Sequence, residues 1–257
     1  MAEHLRLIND ESPERKWGMV MTSTAQEILR SIHHVRQAPG RLTMIAAVPG
    51  AGKSEALLRY VQNEKHVLLH TTVAAEGKVW DVAAALMEKL DLGIPNSRKL
   101  RAERTRIAEA IGVESLLMID EAQYLAHKNP RGGNVYETLE WLRAMAEEGC
   151  FSLVYAGDLA LLDAVGHLPQ LQRRMSRPVI VRHVPKADVA AIAGSLGVSD
   201  REIIKALYGV STGYGGLGDV VNVIRHAKLF AGGDAVAEPH IMAAIEDLKL
   251  TPKGGRK

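Results

Sequence analysis

Lys53 and Ser54 close the run Ala47-Val48-Pro49-Gly50-Ala51-Gly52-Lys53-Ser54, a spacing of glycine, lysine and hydroxyl that can hold a chain of phosphates. Gly50 and Gly52 let the backbone curl so that successive N–H groups face one concavity. The helical pattern that follows, opening at Glu55, adds its positive N-terminal dipole. Lys53 is expected to reach the β- and γ-phosphates, and Ser54 to ligate Mg²⁺. The contacting stretch is therefore Pro49, Gly50, Ala51, Gly52, Lys53, Ser54 and Glu55. The usual pattern opens with Gly, and Ala47 holds that place here. A Gly-rich turn that merely contains Gly-Lys-Ser is the alternative. An apolar run before it and a helical run after it favour the phosphate loop.

A second cluster follows the apolar run 116–119, which ends in Asp120 and Glu121. A buried strand ending in a carboxylate places Asp120 where it can hold Mg²⁺. Glu121, one residue on, is positioned to polarise an attacking water as general base. Asp158 ends the next apolar run, close to the expected phosphates. An ionised carboxylate there is unfavourable unless a cation intervenes, so Asp158 either pairs with an arginine or turns away. The segment Leu171-Gln172-Arg173-Arg174-Met175-Ser176-Arg177-Pro178 is rich in arginine. It reads either as a solvated helix end or as an arginine finger, with Arg174 and Arg177 gripping the γ-phosphate of a neighbouring subunit.

These groups need a scaffold, and strand-like and helical stretches alternate along the chain. Helical patterns cover 24–35, 53–64, 79–90, 98–111 and 134–148; strands are expected at 42–48, 67–69 (short and buried), 115–120, 151–156 and 179–184. Such alternation implies a parallel sheet flanked by helices, with ligand at the carboxyl ends of the strands. From Lys186 onward only helices are expected, at 188–196, 200–208, 218–230 and 239–248. The fold class is thus α/β with a small all-helical domain behind it. The expected organisation is an arm at 1–18, a core at 19–185, a helical domain at 186–250 and a disordered tail at 251–257.

Composition narrows the class. A chain of 257 residues with 47% apolar residues can bury a substantial core. Cys150 is the sole cysteine, which rules out an internal disulfide. The first ten residues hold no sustained apolar run of the signal-peptide kind, and no stretch approaches the ~20 apolar residues of a membrane span. A cytoplasmic protein with no membrane partner is the expectation. A formal charge of +2 is too small to imply nucleic acid, so any such surface must come from clustering.

Five stretches together resemble the AAA+ ATPases of the phage Mu B transposition-protein type. They are the phosphate loop itself; Met118-Ile119-Asp120-Glu121-Ala122 with Tyr124-Leu125; the run into Gly157; Met175-Ser176-Arg177 followed by 186–192; and Gly216-Leu217 opening the helix through Arg225. The resemblance implies a P-loop AAA+ core followed by a helical lid, with ATP and Mg²⁺ as cofactors. It further implies a homo-oligomer, a helical filament or ring around duplex DNA in a bacterial or phage-infected cell, serving a DDE-type transposase. DNA contacts would come from the segments after the second and third strands. Lys78, Arg98, Lys99, Arg101 and Arg104 are the candidates there, with Arg106 beside them. The alternative for those of 98–106 is a solvated basic helix face paired with Glu103 and Glu109. Two departures are visible. Residues 1–18 are too few for a separate helix-turn-helix domain, and the lid position where many AAA+ proteins supply an arginine holds Gly218, followed by Asp219. The implied ATPase is accordingly slow, a switch more than a motor. Competing readings are a helicase loader, a P-loop small-molecule kinase and a scaffold that binds ATP without hydrolysing it.

Overall fold

The computed structural model describes residues 19–38, 40–126, 135–213 and 215–251. The expected arm, Pro39, the first residue of the 134–148 helix and most of the expected tail lie outside them. The described residues divide into two compact units, those within 28–47 and 54–180, and those within 19–27, 48–53 and 181–251.

The first of these is built on a sheet. Its elements in chain order are α1 (Ser23–Arg36, most of which belongs here), β1 (Leu42–Ala47), α2 (Lys53–Asn63), β2 (Val67–Thr71), α3 (Val79–Lys89), α4 (Leu100–Ile111) and β3 (Leu116–Asp120). A 3-10 turn (Ala122–Leu125), α5 (Glu137–Gly149), β4 (Ser152–Gly157), α6 (Leu159–Gly166), α7 (Pro169–Gln172) and β5 (Val179–Val181) follow. The strand order is β2-β3-β4-β1-β5, and the β1–β4, β3–β4 and β2–β3 pairs are parallel. β1, β3 and β4 are buried at every residue, as expected of strands covered on both faces. On one face Met44, Ile119 and Tyr155 pack with Leu86 of α3, Ile107 of α4 and Leu142 of α5. On the other, α1 is tied to the sheet by hydroxyls: Ser152 donates to the Val35 carbonyl at 2.9 Å, and Ser31 lies 2.8 Å from Thr43.

Three expectations are corrected. β2 is an edge strand and only half-buried, not fully buried. β5 stops at Val181 rather than 184, and residues 182–184 lead instead to Pro185, the N-cap of the next helix. Helices α6 and α7 occupy 159–172, where none was expected. Their start is nonetheless written locally, since Asp158 caps α6 by accepting the Ala160 N–H.

The second unit holds the helical part: α8 (Lys186–Ser195), α9 (Arg201–Ser211), α10 (Leu217–Phe230) and α11 (Glu238–Asp247). Val189, Leu207, Val223, Ile224 and Ile241 form its own apolar core. Asp200 caps α9 through the N–H groups of Glu202 and Ile203. The start of α1 belongs here too, where the buried Asp188 carboxylate accepts the N–H groups of Ser23 and Thr24 at 2.6 and 3.1 Å.

Candidate active site

The phosphate loop is a short turn, because β1 ends at Ala47 and α2 begins at Lys53. Gly50 (φ +70°) and Gly52 (φ +88°) hold left-handed conformations that side-chain-bearing residues rarely take. The Ala51 N–H donates to the Val48 carbonyl at 3.3 Å. Ala47, in the place usually held by Gly, is the last strand residue and has no positive φ, so its methyl group costs nothing in backbone strain. Lys53 is the first residue of α2 and buried; Ser54, beside it, is exposed. Glu55 spends its carboxylate on Arg59 one turn on, at 2.7 Å.

The loop residues 48–53 belong to the helical unit; Val48 packs against its apolar core, and Pro49 and Gly50 meet it backbone to backbone. The Leu217 N–H donates to the Gly50 carbonyl at 2.9 Å. A Cβ on Gly50 would stand 2.0 Å from the Gly215 carbonyl oxygen, and one on Gly216 would stand 2.7 Å from the Pro49 carbonyl oxygen. Only glycine fits either place. Asp219 holds this lid turn, accepting the Gly215 N–H at 3.0 Å. A Cβ on Gly218, the residue that stands where related lids are expected to present an arginine, would meet nothing within 4 Å.

In the sheet unit the candidate carboxylates stand at the carboxyl ends of two adjacent strands, β3 and β4, beside the end of β1. Ala46 of β1 pairs with Gly157 of β4, and Ile119 of β3 with Tyr155 of β4, so the three ends are level. Asp120 ends β3, is buried, and its Oδ1 accepts the Glu121 N–H at 2.9 Å. Glu121 adopts φ +55°, uncommon for a residue with a side chain. Its Oε2 accepts from Gln123 Nε2 at 2.5 Å, and Gln123 Oε1 accepts the Asp158 N–H at 3.2 Å. Gln123 escaped the sequence reading; its spacing of two from Glu121 carries no motif of its own. The Asp158 carboxylate itself accepts the Ala160 N–H at 2.8 Å. Of the two alternatives open for Asp158, its side chain takes the second, turning back onto α6.

The arginines separate. Arg174 pairs with Glu147 of α5 at 2.5 Å. Arg177 is exposed and left-handed (φ +53°), with its carbonyl accepting from Ser31 Oγ at 2.7 Å and Thr43 Oγ1 at 3.2 Å. Two hydroxyls thus fix the backbone from which this side chain departs.

The basic candidates also separate. Lys78 is the exposed N-cap of α3, in the loop after β2, and Gly77 beside it accepts from Thr138 at 2.8 Å. Arg104 pairs with Glu148 at 2.9 Å, and Thr105 bonds the same carboxylate. Glu148 lies in the last turn of α5, which leads into the amino end of β4. Arg104 is therefore at the end of the sheet opposite Asp120 and Gly157. Arg106 is bound to Glu103 and to the Leu92 carbonyl, as the paired-face alternative predicts for that residue. Arg98, Lys99 and Arg101 are exposed, and among the described residues none has a salt bridge within 4.0 Å. Arg101 is near enough to Glu148 to help hold that carboxyl below its ordinary range, after the Thr105 and Arg104 hydrogen bonds.

This donor set suits a Mg²⁺-bound nucleoside triphosphate. Two left-handed glycines expose the loop amides, a helix N-terminus carries Lys53 and Ser54, and a buried carboxylate ends β3. Among the described residues no helix is long and apolar enough to cross a membrane.

Comparison with known proteins agrees with this geometry. Residues 36–164 match the family model described as AAA domain, and 173–248 match that of the Mu B transposition protein, C terminal. No curated protein matches the chain. Among solved structures, the Aeropyrum pernix ORC1 protein in complex with DNA is similar at 15% identity and a TM-score of 0.63, over 94% of this chain and 68% of that one. Domain III of the Thermotoga maritima replication initiation protein DnaA gives 16% and 0.59, over 92% and 97%. A Walker-type ATPase of Pyrococcus abyssi gives 16% and 0.56, over 95% and 76%. At such identities these likenesses speak for the fold. With residues 36–164, half its length, inside the AAA domain model, the chain belongs to the AAA domain family, and the segment behind it is similar to the C-terminal part of the Mu B transposition protein.

Proposed function

We propose that the protein is an ATP-controlled, largely sequence-nonspecific DNA-binding ATPase that oligomerises on duplex DNA and directs a partner transposase to its target. The observation that carries this reading is the pairing of a complete phosphate loop with a Mu B-type C-terminal segment in one chain. Bound Mg²⁺ would neutralise the charge that develops on the phosphates. Lys53 would pair with the β- and γ-phosphates, Ser54 and Asp120 would hold the metal, and Glu121 would take a proton from water. Arg177 is the finger offered to a neighbouring subunit: it is exposed, and two hydroxyls hold its backbone in place. The lid turn, with Gly218 in place of an arginine, supports slow turnover suited to a switch.

For DNA, Lys78 lies on the loop after β2 at the carboxyl end of the sheet, whereas Arg98, Lys99 and Arg101 form a separate exposed group. Contacts of this kind read the phosphate backbone and little of the sequence. If about three phosphates are neutralised per subunit, log K falls with log salt at a slope of roughly −3 per subunit.

Gel filtration with duplex DNA and a non-hydrolysable ATP analogue tests the reading. Large assemblies that need both ligands are expected. Lys53→Ala should abolish them, and Glu121→Gln should keep them by retaining ATP. A monomer under every condition would sink the proposal and favour a small-molecule kinase. A DDE-type transposase should be retained by the assembled form alone, and capture by the ATP-free monomer would argue against the switch.

A further inference from the structure

Gln123 makes two hydrogen bonds that join the proposed base to the end of the neighbouring strand. Its Nε2 donates to Glu121 Oε2 at 2.5 Å, and its Oε1 accepts the Asp158 N–H at 3.2 Å. The direction of the amide is fixed by chemistry. A backbone N–H only donates and a carboxylate only accepts, so a flipped amide would satisfy neither partner. The surroundings are shaped for it. A Cβ on Gly157 would stand 2.5 Å from Gln123 Oε1 and 3.2 Å from the Gln123 nitrogen, so β4 ends in a residue without a side chain where the amide lies. The partner N–H is itself held steady, because the Asp158 carboxylate caps α6. Gln123 lies in the 3-10 turn directly behind Glu121, and its neighbours Ala122 and Leu125 are fully buried.

We infer that Gln123 is a positioning residue for Glu121, holding the base carboxylate against the end of β4. The inference rests on the reading of Glu121 as general base. A glutamate side chain has three rotatable bonds, and a carboxylate swung by about 1 Å from the line of attack loses up to ~100-fold in rate. One oxygen gripped by an amide fixes the direction of the other. The link also ties the base to the strand end that, in this sheet, lies between β1 and β3. Any movement at Gly157 and Asp158 is thereby passed to Glu121 through one side chain.

The test compares Gln123→Leu, which keeps the bulk and loses both bonds, with Gln123→Glu, which keeps the acceptor for Asp158 and loses the donor. Glu121→Gln serves as the reference. ATP turnover with duplex DNA, affinity for a fluorescent ATP analogue and thermal unfolding are measured for each. Both Gln123 variants should lose kcat by about tenfold or more, with KM and analogue affinity within about twofold of wild type. Wild-type kcat in either variant, with Glu121→Gln inactive, would overturn the positioning role and leave the base standing. Loss of analogue affinity and melting temperature together with kcat would overturn it in favour of a structural role. Wild-type turnover by Glu121→Gln would instead remove the base assignment, and the positioning role with it.

Discussion

The Leu217 amide donates to the Gly50 carbonyl at 2.9 Å, so the first residue of α10 is bonded to the middle of the phosphate loop. The contact is tight because Gly50 and Gly216 leave no room for a side chain between the two turns. The phosphate loop is thus joined to the lid turn through main chain.

Gly50→Ala should be severely damaging. Its methyl would meet the Gly215 carbonyl oxygen at 2.0 Å from a left-handed backbone, an overlap and a strain together worth at least about 2 kcal/mol. Thermal unfolding and ATP binding should both suffer. Gly218→Ala, where the added Cβ meets nothing within 4 Å, is the control and should be neutral or slightly stabilising.

Arg177→Gly should separate stability from activity. Relief of the left-handed backbone (φ +53°) should raise stability by about 1 kcal/mol, seen as a higher denaturant midpoint. Removal of the finger should lower ATP turnover at concentrations that favour assembly and leave ATP binding by the monomer intact. Turnover equal to wild type under assembling conditions would show that Arg177 is not the finger.

Asp188 closes the N-terminus of α1 from 165 residues away, accepting the Ser23 N–H and hydroxyl on Oδ1 and the Thr24 N–H on Oδ2. Asp188→Ala should cost about 2 kcal/mol, and Asp188→Asn roughly half, since its Oδ1 still serves Ser23. A denaturant titration of the three proteins should give that order.

His70 should make stability fall in mild acid. Burial first, and the nearby Lys89 second, push its pKa from 6.5 down to about 4. The unfolded chain takes up a proton below about pH 6.5, whereas the folded protein resists it until about pH 4. Stability from this group is thus complete above pH 6.5 and declines as pH falls towards 4, by up to about 3 kcal/mol. His70→Leu should flatten that part of the pH–stability curve relative to wild type. An unchanged slope would show that His70 does not titrate this way.

Much of the architecture was legible because it is written in local patterns. Strand, loop and helix around Lys53 follow from an apolar run, two glycines and a helical period. The run 116–119 followed by Asp120 behaves likewise. The misses are of another kind. β2 reads as an interior strand because Val67-Leu68-Leu69 is apolar, yet only its place at the sheet edge decides its exposure. Helices α6 and α7 were overlooked although Asp158 marks the start of the first as an N-cap.

By itself the sequence determined the phosphate loop, the carboxylates at the end of β3 and the division into an α/β part and a helical part. These depend on neighbours a few residues apart, where backbone conformation and hydrophobic period act directly. Only the tertiary structure decided how the polar side chains are committed. It sends Asp158 to a helix cap and Arg174 to Glu147, ties Arg104 to Glu148 at the far end of the sheet, and brings Gln123 onto Glu121. A hydrogen bond or ion pair needs its partner within about 3 Å, and which distant residue comes that close is set by packing of whole elements. The loop at Lys53 could be read from eight consecutive residues; the groups arranged to work with it could not.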